Sequence, residues 1–255
     1  MNSVLYNIPL PLFAAILFAL ILLVHLTGVQ AGNYQRRKNP AVVTSGLGPL
    51  ETALLGLLSL LLSFTFSMSA SRYDARRNAI VTEANEISTA VLNADLYPDS
   101  IRKGLRSNLQ LYVNERVQYY QYTDEKNIEA SLAKAKAIHT ILWNTVASFS
   151  HDPSYAVITN QMVPALHHIE SAATSRDAIS AARVPYSIIW LLVTLALLGS
   201  FVIGFAKPQR TNDWMILLIY ATMTVATLCT IIDLDSSKKG FIKTEGTHTK
   251  IDALK

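Results

Sequence analysis

Four stretches of the chain are apolar over long runs, and between the second and third the pattern changes to regularly spaced apolar and charged positions. The first run extends from Ile8 to about Val29. At a rise of about 1.5 Å per residue, a helix of that length crosses a hydrocarbon core of about 30 Å. The second run covers about 50–70, the third about 186–206 and the fourth about 214–232. Residues 71–185 instead repeat apolar side chains at steps of three and four. Ile80, Ala84, Ile87 and Val91 form one stripe, and Ile101, Leu105, Leu109, Tyr112 and Val113 a second. Ile128, Leu132, Ala135, Ile138, Leu142, Val146 and Phe149 form a third, and Ile158, Met162, Ala165, Ile169 and Ala172 a fourth. These are helical periods, and no strand-like alternation of comparable length competes with them.

The pattern predicts an all-α fold: a polytopic membrane protein with four transmembrane helices and a helical bundle inserted between the second and third spans. The expected parts are a first transmembrane hairpin over 1–70 (spans about 8–29 and 50–70), a water-exposed helical domain over 71–185, a second hairpin over 186–233 and a polar tail over 234–255. No proline or glycine interrupts the passage from the second span into the first charged helix, so one continuous helix is expected there, ending near Tyr97-Pro98. Asp99 or Ser100 is expected to cap the next helix, and Pro164 to kink the last one. Tyr119, Tyr120 and Tyr122 read as packing residues with wet hydroxyls. The Gly-, Pro- and Ser-punctuated segment after Val29 reads as a loop. Val29-Gln30-Ala31 loosely resembles a signal cleavage site, but a signal peptide needs a basic start and residues 1–35 carry no charge, so a retained span is expected.

Within the second span, small and hydroxyl residues fall in register. Thr52, Gly56, Ser59, Ser63 and Ser67, followed by Ser71 and Asp74, are spaced by threes and fours and share one helical face. Close packing of helices in lipid uses such faces, because small residues let backbones approach. A pore lining uses them too, presenting hydroxyls to water or ions, with Phe66 or Leu60 as a constriction. Packing carries somewhat more weight, and in an oligomer one stripe can serve both. Ala196, Ser200 and Gly204 in the third span form a second small-residue face. His25 reads as an interfacial or inter-helix hydrogen-bonding group. Tyr186, Trp190, Trp214 and Tyr220 fit an interfacial aromatic belt.

Composition narrows the function. The chain is 51% hydrophobic and 16% charged, with a formal charge of +4. Residues 71–185 balance their charges, so the excess lies in short loops and the tail, at positions such as Arg36, Arg37, Lys38, Lys207, Arg210, Lys238, Lys239 and Lys243. Basic residues beside apolar spans report topology or anionic lipid, and nucleic acid is not an expected partner. The chain has a single cysteine, Cys229, which excludes an intrachain disulfide. No phosphate loop, dinucleotide fingerprint, HExxH or paired CxxC occurs, so neither an enzyme nor a cofactor is expected. His139, His151, His167 and His168 suggest no metal site, since adjacent His167 and His168 would point about 100° apart on a helix.

The charged groups at the membrane boundary are Glu51, Arg72, Asp74, Arg76, Arg77, Asp233 and Asp235. For the acids Glu51, Asp233 and Asp235, simple solvation weighs more than a buried cation or proton site. The arginines are expected to anchor on lipid headgroups or to pair with Asp74 and Glu83; as a ring in an oligomer they would attract anions. Orientation signals conflict. Basic residues near the membrane total five in the short loops and eight on the opposite side, which favours the helical domain inside. The uncharged N-terminus followed by Arg36-Arg37-Lys38 favours an outside N-terminus, with the 71–185 domain outside as well. First-helix dominance makes the second the expectation here.

The run from Gly48 to Thr89 resembles the second-helix signature of bacterial bestrophin-like membrane proteins, a family of unknown function. The matching residues are Leu54, Leu55, Gly56, Phe64, Thr65, Phe66, Ser67, Ser71, Arg72, Asp74, Arg76, Arg77, Glu83, Ala84, Asn85 and Ile87. Asp233, Leu234, Asp235 and Gly240 resemble the family's D-L-D element, with Lys238-Lys239 before the glycine where a basic or proline-containing pair is usual. The resemblance implies a distant likeness to bestrophins, pentameric anion channels whose second helix lines the pore and whose helical domain is cytoplasmic. The expectation is therefore a homo-oligomeric integral membrane protein, lodged in a lipid bilayer and acting as an ion (anion) channel lined by the second span, in a bacterial inner membrane. The alternative is a membrane-anchored sensor or scaffold whose helical domain binds a ligand or partner.

Overall fold

A computed structural model describes residues 9–38, 47–122, 124–206 and 214–236. Lys207, Arg210, Lys238, Lys239, Gly240, Lys243 and the tail from 237 lie outside the described residues, as does the side chain of Tyr120. Every regular element among the described residues is helical: α1 (Leu10–Lys38), α2 (Leu47–Ala94), α3 (Asp99–Gln121), α4 (Glu125–Ser148), α5 (Ala156–Ala181), α6 (Tyr186–Ala206) and α7 (Trp214–Asp235). A short 3₁₀ turn, Pro153–Tyr155, precedes α5. Four of the helices are long and apolar enough to cross a membrane. The described residues fall into two compact units, one within 1–72 and 183–241 and the other within 73–182.

In the membrane unit, α1 lies along α6 and also packs against α7. The small residues explain the α1–α6 approach. A side-chain carbon added at Gly28 or Gly32 would overlap the backbone at Phe201 or Phe205, and one added at Gly204 would overlap the carbonyl of His25. Buried Ser200 donates its hydroxyl to the Ile21 carbonyl at 2.7 Å, and His25 Nδ1 lies 3.4 Å from the Ser200 carbonyl oxygen. The Ala196–Ser200–Gly204 face thus meets α1, and His25 bonds between helices. These glycines also account for a departure from expectation. The segment after Val29, expected as a loop, is a continuation of α1 to Lys38, because Gly28 and Gly32 serve as contact points and neither turns the chain. Leu17, Ile21, Leu58, Leu192, Ala196, Leu217, Ala221 and Leu228 form the main apolar cluster of this unit.

In the helical unit, the four predicted stripes meet. Ile80, Ala84 and Ile87 of α2, Leu105, Leu109, Tyr112 and Val113 of α3, Ala135, Leu142 and Val146 of α4, and Met162, Ala165 and Ile169 of α5 share one buried cluster. Tyr97, Phe149 and Tyr155 cluster at its edge with centroids 5.3–6.3 Å apart, Tyr97 stacked on Tyr155 and Phe149 tilted against both. Asp99 does not cap α3 from outside. It is the first helical residue, Pro98 holds the cap position without a side-chain bond, and Asp99 pairs instead with Arg102. A carboxylate in a first turn still complements the helix dipole. α5 runs through Pro164.

Candidate functional site

The second-span face lies on an exposed side of α2. Thr52, Gly56, Ser59, Ser63, Phe66 and Ser67 are all exposed, and a side-chain carbon at Gly56 would meet nothing within 4 Å. Ser71 is exposed as well. The opposite side of α2 provides the attachment, with Leu58 buried and Leu54, Leu61 and Leu62 packed against the unit's core. Among the described residues, the face is therefore not closed over by another helix. Only 17% of the apolar window of α2 is buried, the smallest share of the four spans. Leu60 and Phe66 are exposed beside the stripe, at 53% and 42%.

Ser59, Ser63 and Phe66 also line an open groove of about 440 Å³ whose other wall is α7, with Thr224 and Thr227. Tyr220 is engaged within the helix bundle. Its hydroxyl donates to the Ala196 carbonyl at 2.7 Å, tying α7 to α6. Several hydroxyls are turned back on their own helices. Thr52 donates to the Gly48 carbonyl at 2.9 Å, Ser59 to Leu55 at 2.8 Å and Thr227 to Met223 at 2.8 Å. A hydroxyl bonded in this way shows its oxygen lone pairs to the outside. To hold an anion it must rotate and give up that bond, at a net cost of about 1 kcal/mol.

The boundary charges separate into different environments. Glu51 and Arg72 are half-buried, and Asp74 and Arg77 are exposed. Arg77 lies 5.9 Å from the Tyr73 ring, while Arg76 is 5% exposed. Asp233 and Asp235 are 5% and 1% exposed, against the expectation of simple solvation. Both oxygens of Asp235 accept from the Val184 N–H, at 3.0 and 3.1 Å, just before α6 begins. Asp235 thereby places a negative charge at the entrance of α6, where free amides favour it. α7 extends three residues beyond the expected end at Ile232 and carries both acids into the interior.

Glu83 has partners other than the boundary arginines. It is fully buried and bound by Arg116, Nε to Oε1 at 2.5 Å and Nη2 to Oε2 at 3.3 Å, and by Arg176 through Nη1 to Oε2. Arg116 also donates to Asp177 at 3.1 and 3.3 Å, and its guanidinium lies 5.3 Å from the Tyr119 ring. Burial alone would raise the Glu83 pKa, but the two arginines outweigh it and hold the carboxyl below its usual range. Burial, reinforced by the Glu83 charge, pushes Tyr112 well above its usual value. Sequence reasoning missed these partners, although a signal exists. Arg116 continues the stripe Leu105–Leu109–Tyr112, and Arg176 continues Ala165–Ile169–Ala172, each one helical step further. A charge in register with an apolar stripe is a buried charge that needs a counter-charge.

Four apolar helices, an exposed hydroxyl face and a helical unit with a charged interior define an all-helical integral membrane protein. The chain belongs to the Bestrophin-like family, whose domain profile matches residues 13–245. Solved structures of a bacterial bestrophin homologue from Klebsiella pneumoniae share its fold. One is 14% identical with a TM-score of 0.72, covering 94% of this chain and 96% of that one. A point variant of that protein is 13% identical with a TM-score of 0.71, covering 94% and 98%. Another variant is 14% identical with a TM-score of 0.66, covering 100% and 96%. No curated protein sequence matches the chain significantly.

Proposed function

We propose that this protein is a homo-oligomeric channel, without enzymatic activity, whose α2 faces surround a conduction path for small anions. The observation that carries this reading is the exposure of Thr52, Gly56, Ser59, Ser63, Phe66 and Ser67 on a helix otherwise anchored by leucines. Several copies turned toward a common axis would enclose that face and present hydroxyls to a hydrated path. Family membership supports the same reading. Phe66, bulky and exposed beside the hydroxyl stripe, is assigned the constriction. Exposed Arg77 and half-buried Arg72 are assigned to attract anions at the mouth. The decisive experiment is ion flux from liposomes holding the full chain. Replacing Ser59, Ser63 and Ser67 together by Leu should abolish flux that the wild type shows, whereas unchanged flux overturns the reading. Absence of flux in the wild type, with a ligand-dependent thermal shift, would support a membrane-anchored sensor instead.

We further propose residence in a bacterial inner membrane with the N-terminus outside, on the strength of the uncharged residues 1–35 followed by Arg36-Arg37-Lys38. A cysteine placed at exposed Lys103, in a Cys229→Ser background, should then react with a membrane-impermeant thiol reagent in spheroplasts. Protection until lysis would give the opposite layout.

A further inference from the structure

The helical unit contains a polar groove that the conduction reading does not use. It runs between α2 and α5 and encloses about 490 Å³. Asn78, Thr82 and Glu86 follow one another by single turns along α2, and His168, Ser171 and Ser175 do so along α5. The two rows run in opposite directions, so that the last member of one faces the first of the other. There Glu86 Oε2 and His168 Nδ1 stand 3.4 Å apart.

That separation is long for a charge-assisted hydrogen bond, which settles near 2.7–2.9 Å. It fits two donors on one small ion. Bonds of about 2.0–2.1 Å at a tetrahedral angle place ligand atoms about 3.3–3.4 Å apart. Access is open, since the His168 side chain is 60% exposed and that of Glu86 28%. The donor chemistry is an imidazole nitrogen with a carboxylate, which suits Zn²⁺, Co²⁺ or Ni²⁺ better than Mg²⁺ or Ca²⁺. Among the described residues, Glu86 and His168 are also the only ionisable groups lining the groove. The neighbouring Thr82 and Ser171 can hydrogen-bond water on such an ion. No group of three or more His, Cys, Asp or Glu side chains suited to a metal occurs among the described residues, so two protein ligands are what this groove offers.

We propose that Glu86 and His168 form a two-residue binding site for a divalent transition-metal ion of the Zn²⁺ type, completed by water and bridging α2 and α5. His167 takes no part, because it projects about 100° away around α5. The His139 ring is engaged elsewhere, with Nε2 2.9 Å from the Leu166 carbonyl oxygen.

The test is titration of Zn²⁺ into tag-free full-length protein in detergent near pH 7.5, followed by calorimetry, with Co²⁺ and its visible absorption as a second probe. One saturable site is expected, with Mg²⁺ failing to compete. His168→Ala and Glu86→Gln should each weaken binding at least about tenfold, a change on the scale that altered metal surroundings produce. His167→Ala should bind as the wild type does. His168→Gln serves as the second variant if His168→Ala fails to fold, as judged by metal-free melting. Wild-type affinity in the His168 and Glu86 variants overturns the proposal, because the other five histidines would then account for binding. So does absence of saturable binding. The readout is independent of ion flux, so the site and the channel stand or fall separately.

Discussion

Glu83 carries its charge in a position where only its two arginine partners make ionisation favourable. Removing that charge while keeping the shape, as in Glu83→Gln, takes away the buried carboxylate that Arg116 and Arg176 share. Breaking a buried pair in this way costs about 3–5 kcal/mol, although replacing the whole network by apolar groups would cost far less. The expected outcome is a large fall in the denaturation midpoint of the full-length protein in detergent, restored in part when Arg116 and Arg176 are replaced together by Met. The sign of the pH dependence follows from the lowered native pKa. The unfolded carboxyl binds a proton at a higher pH than the native one does. The stabilisation is therefore fully present above the ordinary carboxylate pKa and is lost as pH falls through the lowered native value. Wild-type stability should drop along that acid limb, and Glu83→Gln should show a flatter one. Parallel limbs in a melting series from pH 6 to pH 3 would remove Glu83 as the cause.

Helix by helix, the apolar periods were legible because burial of one stripe per helix is what the helical unit needs for a core. Ile80, Leu105, Leu142 and Met162, each read as a stripe residue, are all 1% exposed or less. Helix ends were less legible. Gly28 and Gly32 carry the local signature of a breaker, and only the presence of α6 across the contact turns them into packing points. The same dependence on a distant partner hid the burial of Asp235, whose acceptor role needs the Val184 amide 51 residues away in the chain. The hydroxyl stripe was legible as a face, since helical spacing alone defines it. That the face is exposed is a tertiary fact. Two predictions belong to this scale. Gly28→Leu should destabilise the membrane unit by about 3 kcal/mol or more, because the overlap is with backbone that cannot repack. Asp235→Ala leaves the Val184 N–H unpaired and should cost about 1–3 kcal/mol, with Asp235→Asn keeping part of it. Thermal melting of each variant in detergent measures both, and a wild-type melt for Gly28→Leu would contradict the close α1–α6 approach.

At the scale of the whole molecule, the proposed homo-oligomer is what would cover the exposed face of α2. In lipid, hydroxyls gain nothing from acyl chains, and a helix that offers Ser59, Ser63 and Ser67 outward is better satisfied by water or by another protein surface. Those two destinations are the conduit and the seam, and one substitution separates them. Phe at position 59 adds bulk where the chain itself has open space. If the face looks across a hydrated axis, Ser59→Phe leaves subunit contacts intact and narrows the path, so the assembly keeps its mass while flux falls severalfold. If the face is the contact between neighbouring subunits, the same bulk sits where backbones must approach closely, and packing of that kind loses about 1–3 kcal/mol per overpacked residue, repeated around the ring. The assembly would then dissociate on dilution. Native mass spectrometry or light scattering of the detergent-solubilised protein gives the mass, and the same preparation reconstituted into liposomes gives the flux. The expected pair of results is an unchanged oligomer with reduced conduction. A monomeric Ser59→Phe protein would assign the stripe to packing and move the conduction path to another surface.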